Sequence, residues 1–500
     1  MDLIDIIYSD SLKKSNNKII KRDKGQFYTP PKIAKFMSEL SHVKKTHIKI
    51  LDPGSGTGVL SIAICLNLSK NFIVKSIKLD VYENDNEIIK TLDYNLKQLE
   101  DMLISRNIEF EYKIYSDNFI TLNASKWNQS NVQMYDIVIS NPPYKKLSIG
   151  STESVTMKSI VKGQPNIYAL FVAMSLHLLK ENGEMIFITP KSFCSGAYFD
   201  LFRKYLFDNA DITNIHLFTN RSRTFLSEEV LQETIIYRIE KSKNVNRIVE
   251  ITASVDTNFE ILHRINVSHS DMLRISNDKS NFYLLKSEEE YNILRLINTF
   301  SCTFDSLNYK FRTGPVVDFR LKEYIQNSTN SDYPLLWPSH INFTGFVNFP
   351  NIDRNDQYIR HNKSYLISNV PMIIIKRFSS MDESRRLYPN IYIPLEGYSL
   401  IGVENHLNYL SSTSKKEISV EELYGIYCIL NTTIYDKYYR ILNGNTQVNV
   451  YELNNVPIPD IEHIRKLGKW LITSSDMSTS NCDILFSKLI QETEDDKNVR

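Results

Sequence analysis

Net charge is the first thing this chain lacks: 59 Lys and Arg face 58 Asp and Glu, a formal charge of +1 at pH 7. A uniformly basic surface is therefore excluded, and any footprint for a polyanion has to be local. Cysteine is scarce as well. Cys65, Cys194, Cys302, Cys428 and Cys482 are odd in number, widely scattered and free of any Cys-x-x-Cys pair. That usage fits a reducing cytoplasm and argues against zinc. The ten histidines show no His-x-x-x-His spacing, so no metal is expected. No run of 18 or more apolar residues occurs, which excludes a helical membrane span. The start, Met1-Asp2-Leu3-Ile4-Asp5, is acidic and lacks the basic-then-apolar order of a secretory signal. Internal repeats are absent. What remains is 500 residues of ordinary globular composition, long enough for two or three domains with full cores.

The most informative stretch is Asn141-Pro142-Pro143-Tyr144, which follows the apolar run Tyr135 to Ser140. That run reads as a buried strand ending in a tight turn. Two prolines fix φ and carry carbonyls without N–H groups of their own. The Asn141 side-chain oxygen and a proline carbonyl make a rigid pair of acceptors, with the Tyr144 ring beside them. This set matches a planar exocyclic amine such as that of adenine. The plain alternative is a strand followed by a proline turn, and these four residues leave the two readings close to even.

The upstream context separates them. Ile48-Lys49-Ile50-Leu51 runs into Asp52-Pro53-Gly54-Ser55-Gly56-Thr57-Gly58, which opens the apolar helix Val59 to Leu66. Glycines let the backbone approach a ligand, and the helix start offers N–H donors. The Gly54-x-Gly56-x-Gly58 spacing differs from the dinucleotide fingerprint, and no Gly-Lys-Ser/Thr follows as nucleoside triphosphate binding would require. An acid ahead of the turn suits a cationic ligand, and S-adenosylmethionine, with its sulfonium and amino groups, fits. Ile77 to Asp85 reads as a second strand ending in acid. Glu83 is the candidate acceptor for ribose hydroxyls, with Asp85 as the alternative. Asp117, with Phe119 nearby, is a third acid in order.

These motifs resemble the adenine-N6 DNA methyltransferases of bacterial restriction–modification systems, in the gamma order shared by the TaqI and PstI types. In that order the cofactor motifs come first, the catalytic motif next and the target-recognition region last. Gly25-Gln26-Phe27-Tyr28-Thr29-Pro30 is similar to the family's extra cofactor motif, and Glu181 to Phe193 to a later strand and loop. The resemblance implies cofactor contacts at Thr29, Asp52, Gly54, Gly56, Glu83, Asp117 and Pro143. It implies a catalytic set of Asn141, Pro142 and Tyr144, with Phe225 as a second aromatic against a flipped base. Phrases around Thr313 to Arg320, Glu404 to Asn408 and Asn445 to Asn449 recur in PstI-like enzymes, so the likeness spans nearly the whole chain.

The expected architecture is α/β: a doubly wound, Rossmann-like catalytic domain over residues 1–245, then a mixed α+β target-recognition domain over residues 246–500. Alternating helices and strands from Pro31 to about Arg238 support the first part. Glu233 to Ile239 reads as an edge or antiparallel strand, and Glu240 to Asn246 as a linker. The segment Lys145 to Gln164, directly after the catalytic turn, is expected to move when DNA binds. Local basic residues Arg320, Lys376, Arg377, Arg385 and Arg386 are candidates for DNA contact. The implied function is methyl transfer from S-adenosylmethionine to N6 of a flipped-out adenine in double-stranded DNA. The implied partners are duplex DNA and a restriction endonuclease encoded separately, and the expected state is a cytoplasmic monomer. Cytosine-N4 DNA methylation and glutamine-N5 protein methylation use related chemistry. The first more often carries Ser-Pro-Pro, and the second lacks so long a C-terminal half.

Overall fold

The computed structural model describes residues 3–14, 29–194, 197–218, 234–242, 247–276, 279–326, 332–360, 364–379, 383–414, 416–442 and 447–498. The chain forms two compact units, Met1–Glu288 and Glu289–Arg500.

The first unit is built on a nine-stranded sheet in the order β3-β2-β1-β4-β5-β7-β6-β8-β9. Its strands are β1 (His47–Pro53), β2 (Ser76–Tyr82), β3 (Glu109–Tyr115), β4 (Tyr135–Ser140), β5 (Leu179–Pro190), β6 (Asp211–Phe218), β7 (Thr234–Glu240), β8 (Ile248–Ser254) and β9 (Ile261–Ser268). The first five run parallel. Every residue of β4 is buried, as a central strand covered on both faces requires. The helix Val59–Leu68 buries all its residues except Asn67, so it is a core helix with no solvent face. The order reverses between β1 and β4: the chain leaves β1 toward β2 and β3, then returns to the other side. The crevice beyond the carboxyl ends of such a pair is where doubly wound sheets bind ligands.

One expectation about this unit needs correction. The domain does not end at residue 245. β8 pairs parallel with β6 from Asn214/Glu250 to Phe218/Ser254, and β9 pairs with β8, so the chain past 245 completes the same sheet. Residues 240–246 therefore connect two strands of one sheet instead of linking two domains; 243–246 lie outside the described residues. β7 is antiparallel, one of the two placements expected of it, and lies in the interior between β5 and β6. Its Arg238 is accordingly buried, and it bonds Glu184 of β5 and Thr213 of β6.

The second unit is mixed α and β, as the sequence suggested. A four-stranded sheet joins Tyr309–Thr313, Leu407–Ser412, Met372–Lys376 and Pro389–Tyr392 in that order, and a five-stranded sheet contains Tyr333–Leu336 and Leu400–Val403. The helical stretch expected over Glu421 to Arg440 is two helices, Val420–Asn431 and Thr433–Leu442, broken where Thr432 turns extended. Helix Val420–Asn431 crosses Ile461–Ser474 at backbone contact. A Cβ on Gly425 would lie 1.9 Å from the Ile464 carbonyl oxygen, and one on Gly468 1.8 Å from that of Glu421.

Candidate active site

The site forms where β1 and β4 end side by side. Ser140 Oγ donates to the Pro53 carbonyl at 2.6 Å, fastening the Asn-Pro-Pro-Tyr turn to the glycine turn. Gly54 has φ of 73°, a left-handed value that a side chain would strain. A Cβ on Gly58 would meet Leu92 at 2.9 Å, so this glycine lets the core helix approach its neighbour. The turn is closed onto the next strand: Gly56 N–H donates to Glu83 Oε2 at 3.0 Å, and Asp85 N–H donates to Glu83 Oε1 at 2.9 Å.

These elements surround a cavity of about 400 Å³ whose wall includes Gly54, Gly56, Glu83, Asp117, Asn141 and Pro143. Six residues expected at a cofactor or substrate site thus meet in one place. Glu83 is buried, which pushes its carboxyl pKa upward, while the two N–H donors oppose that shift. Asp85 also borders the cavity, but it caps the helix Asn86–Ile104 by accepting from Glu87 N–H at 3.1 Å. Both acids thus have structural tasks: each Glu83 oxygen accepts one backbone N–H and keeps a lone pair for a ligand, and Asp85 caps the helix.

Four of the expected residues, Asp52, Thr29, Pro142 and Tyr144, sit off the wall. Asp52 is wholly buried behind the glycine turn, where Ser61 Oγ donates to its Oδ2 at 2.6 Å. Its Oδ1 has no hydrogen-bond partner among the described residues. Burial, with a smaller push from Glu83, raises its pKa to about 7. Thr29 is also buried, and its Oγ1 accepts from Asn141 Nδ2 at 3.1 Å, so it orients the Asn141 amide. Tyr144 is buried with only 8% of its surface exposed. Its hydroxyl donates to Asn141 Oδ1 at 2.6 Å and lies 3.1 Å from the Ile188 carbonyl oxygen. The sequence reading concerned the ring of Tyr144; the bonds of its hydroxyl went unanticipated. Pro142 is buried in the turn, and Phe225 lies outside the described residues.

Several wall residues went unnoticed in the sequence: Lys145, Leu147, Glu153, Ile167 and Phe171. The segment after the Asn-Pro-Pro-Tyr turn supplies most of them. Ile167 N–H bonds the Lys145 carbonyl and Leu147 N–H the Pro165 carbonyl, both at 2.8 Å, so the excursion between them has a paired stem. Glu153, within the excursion, accepts from Asn118 Nδ2 at 2.9 Å. The only sequence signal was position, directly after the turn.

In the second unit the phrases around Thr313, Glu404 and Gln447 converge. Gly314 N–H bonds the Leu407 carbonyl, Val316 bridges Glu404, Thr313 Oγ1 donates to Asn408 Oδ1, and Asn408 Nδ2 donates to the Val448 carbonyl. Arg377 joins this node, its Nη1 donating to the Asn405 carbonyl at 3.0 Å. Lys376 lies over the Tyr388 ring, partly buried, and Arg320 is exposed. The proposed DNA contact at Arg386 is contradicted. Its side chain is fully buried and donates to the Ser379 carbonyl at 2.7 Å, while its backbone N–H bonds Asp436. Arg385 is half-buried, its Nε donating to the Leu387 carbonyl at 3.2 Å and its Nη1 to Thr479 Oγ1 at 2.5 Å.

A doubly wound sheet with this glycine turn, this acid on the neighbouring strand and this motif at the switch point defines a Rossmann-like, S-adenosylmethionine-dependent methyltransferase. The residues fit that cofactor: a buried carboxylate with an unpartnered oxygen lies behind the turn, and Glu83, Asp85, Asp117 and Glu153 outnumber Lys145 on the wall. Residues 32–225 match the Eco57I restriction-modification methylase family. Over 464 residues the chain is 33% identical to the Type II methyltransferase M.BsuBI of Bacillus subtilis, covering 90% of this chain and 91% of that protein. Over 481 residues it is 29% identical to the Type II methyltransferase M.PstI of Providencia stuartii, covering 92% and 93%. The chain belongs to the Type II DNA methyltransferases of restriction–modification systems. Among solved structures, the Type IIL restriction-modification enzyme MmeI, solved in complex with DNA, shares the fold with a TM-score of 0.50 at 11% identity, over 98% of this chain and 73% of that one.

Proposed function

We propose that this enzyme methylates N6 of adenine at a specific duplex sequence, with Asn141 as the principal catalytic residue. The observation that carries this is the placement of Asn141 on the cavity wall beside Pro143, with its amide nitrogen held by Thr29. That orientation turns Oδ1 into a fixed acceptor. The adenine amine is a poor nucleophile because its lone pair is delocalised into the ring. Asn141 Oδ1 and the Pro142 carbonyl each accept one N–H, which favours a pyramidal nitrogen. S-adenosylmethionine supplies an electrophilic sulfonium methyl group. The chain's own contribution is positioning, an effect that can remove roughly 7–11 kcal/mol of barrier. The adenine reaches such a recessed site by leaving the base stack, at a cost of a few kcal/mol.

Glu83 is the acceptor for the ribose hydroxyls in this reading, and Asp52 the buried charge that favours a cationic ligand. The second unit recognises the target, the substrate is chromosomal DNA in the cytoplasm, the enzyme acts as a monomer, and a separately encoded endonuclease is the counterpart. The test is methyl transfer from radiolabelled S-adenosylmethionine to duplex DNA, followed by nucleoside analysis. Label in N6-methyladenine supports the assignment. Label in N4-methylcytosine, or in protein glutamine, overturns it.

A further inference from the structure

Phe319 is 73% exposed, at the tip of a short turn spanning Asp318–Arg320. Such exposure of a large aromatic contributes nothing to folding, yet the turn beneath it is firmly built. Phe319 N–H bonds Asp318 Oδ1 at 2.7 Å, and the Arg320 and Leu321 N–H groups both bond the Val317 carbonyl at 3.1 Å. Its root is in the core: Val316 is wholly buried, its N–H bonds the Val403 carbonyl at 3.0 Å, and Asn405 N–H bonds the Val316 carbonyl at 2.8 Å. At Gly314 a Cβ would lie 2.2 Å from the Glu404 carbonyl oxygen, so the root is in backbone contact with that strand end.

Cations accompany the ring. The Arg320 guanidinium lies 5.5 Å from the Phe319 centroid. A second pair, Arg377 over Phe378 at 5.5 Å, hangs on the same backbone: Arg377 N–H bonds the His406 carbonyl at 2.8 Å, and Phe378 lies 4.9 Å from the His406 ring. Two cation–aromatic pairs are therefore fastened to residues 403–407. An aromatic face stacks on or between bases, and a guanidinium beside it binds phosphate.

We propose that Phe319 is a wedge that enters the base stack of duplex DNA while Arg320 binds a flanking phosphate. The proposal rests on the reading of this enzyme as one that acts on duplex DNA, but not on which base it methylates. A rigid tip suits the task because a wedge must keep its position while base pairs are parted.

The experiment relaxes closed-circular plasmid with a topoisomerase in the presence of the full-length protein, at concentrations where gel shift shows the plasmid bound. Wild type, Asn141→Ala and Phe319→Trp should all shift the linking number, and Phe319→Ala should not. Arg320→Gln should reduce the slope of log affinity against log salt by about one. Binding lost in Phe319→Ala and restored in Phe319→Trp would also support the wedge. An unshifted linking number with bound wild type, an equal shift in Phe319→Ala, or a loss of binding that tryptophan does not restore would overturn it. Asn141→Ala keeps the two readings apart, because unwinding without methyl transfer tests the wedge alone.

Discussion

The hydroxyl of Tyr144 donates to Asn141 Oδ1 at 2.6 Å, the same oxygen that the proposed chemistry offers to the substrate amine. An amide oxygen has two lone pairs, so it can accept from both at once. The Ile188 carbonyl, 3.1 Å from the hydroxyl, is a second acceptor to which the tyrosine can turn. Burial holds the Tyr144 pKa well above the ordinary tyrosine value, so the group remains a donor throughout the working pH range. Tyr144 therefore holds the Asn141 amide from one side as Thr29 does from the other.

Tyr144→Phe tests that relationship. The ring stays and the donor goes, so the maximal rate of single-turnover methyl transfer should fall by about 0.5–1.5 kcal/mol of barrier, roughly two- to tenfold. Cofactor affinity should stay the same. A rate equal to wild type would show that the hydroxyl does not orient Asn141.

Asp52 predicts a pH dependence. Its folded pKa of about 7 lies above that of the unfolded chain, so its contribution to the stability of the ligand-free enzyme is present below about pH 4 and is lost as pH rises through about 7. Thermal melting of wild type minus that of Asp52→Asn should decline across this window. S-adenosylmethionine binding should strengthen over the same range as Asp52 ionises, and calorimetric titration of Asp52→Asn should show that component gone. A parallel pH profile in the two proteins would remove Asp52 from the cofactor's electrostatics.

Glu83→Gln keeps the shape of the acid that closes the glycine turn but removes its charge. S-adenosylmethionine affinity should weaken by about 1–3 kcal/mol, measured by calorimetry without DNA. Unchanged affinity would transfer the ribose role to Asp85.

Gly468→Ala addresses the second unit. The added methyl meets the Glu421 carbonyl oxygen at 1.8 Å, so the two helices must separate. A loss of about 1–3 kcal/mol in denaturant unfolding is expected, with cofactor binding by the folded protein unchanged. Wild-type stability would mean that the crossing is looser than described.

Much of the first unit was legible because its signals are local. Asn141, Pro143, Glu83 and the glycine turn each stand at the end of an apolar run, and parallel strands deliver such ends to one edge. The burial of Asp52 was not legible, since the sequence cannot show that the turn covers its side chain. The boundary at 245 failed because a polar stretch reads as a linker whether it joins domains or two strands of one sheet, and only the β6–β8 pairing decides. Arg385 and Arg386 looked like a basic patch, but a cation's burial depends on distant partners such as Asp436 and Thr479. Phe319 and Glu153 carried no local signal, since exposure and cavity lining arise from packing far along the chain.

The most direct test of the account is methyl transfer to duplex DNA by wild type and Asn141→Ala, with S-adenosylmethionine affinity measured on both. Loss of the Oδ1 acceptor should nearly abolish transfer to adenine N6 while cofactor affinity stays within a few-fold, because the missing group faces the substrate. Turnover of the variant within a few-fold of wild type would contradict the catalytic assignment of Asn141.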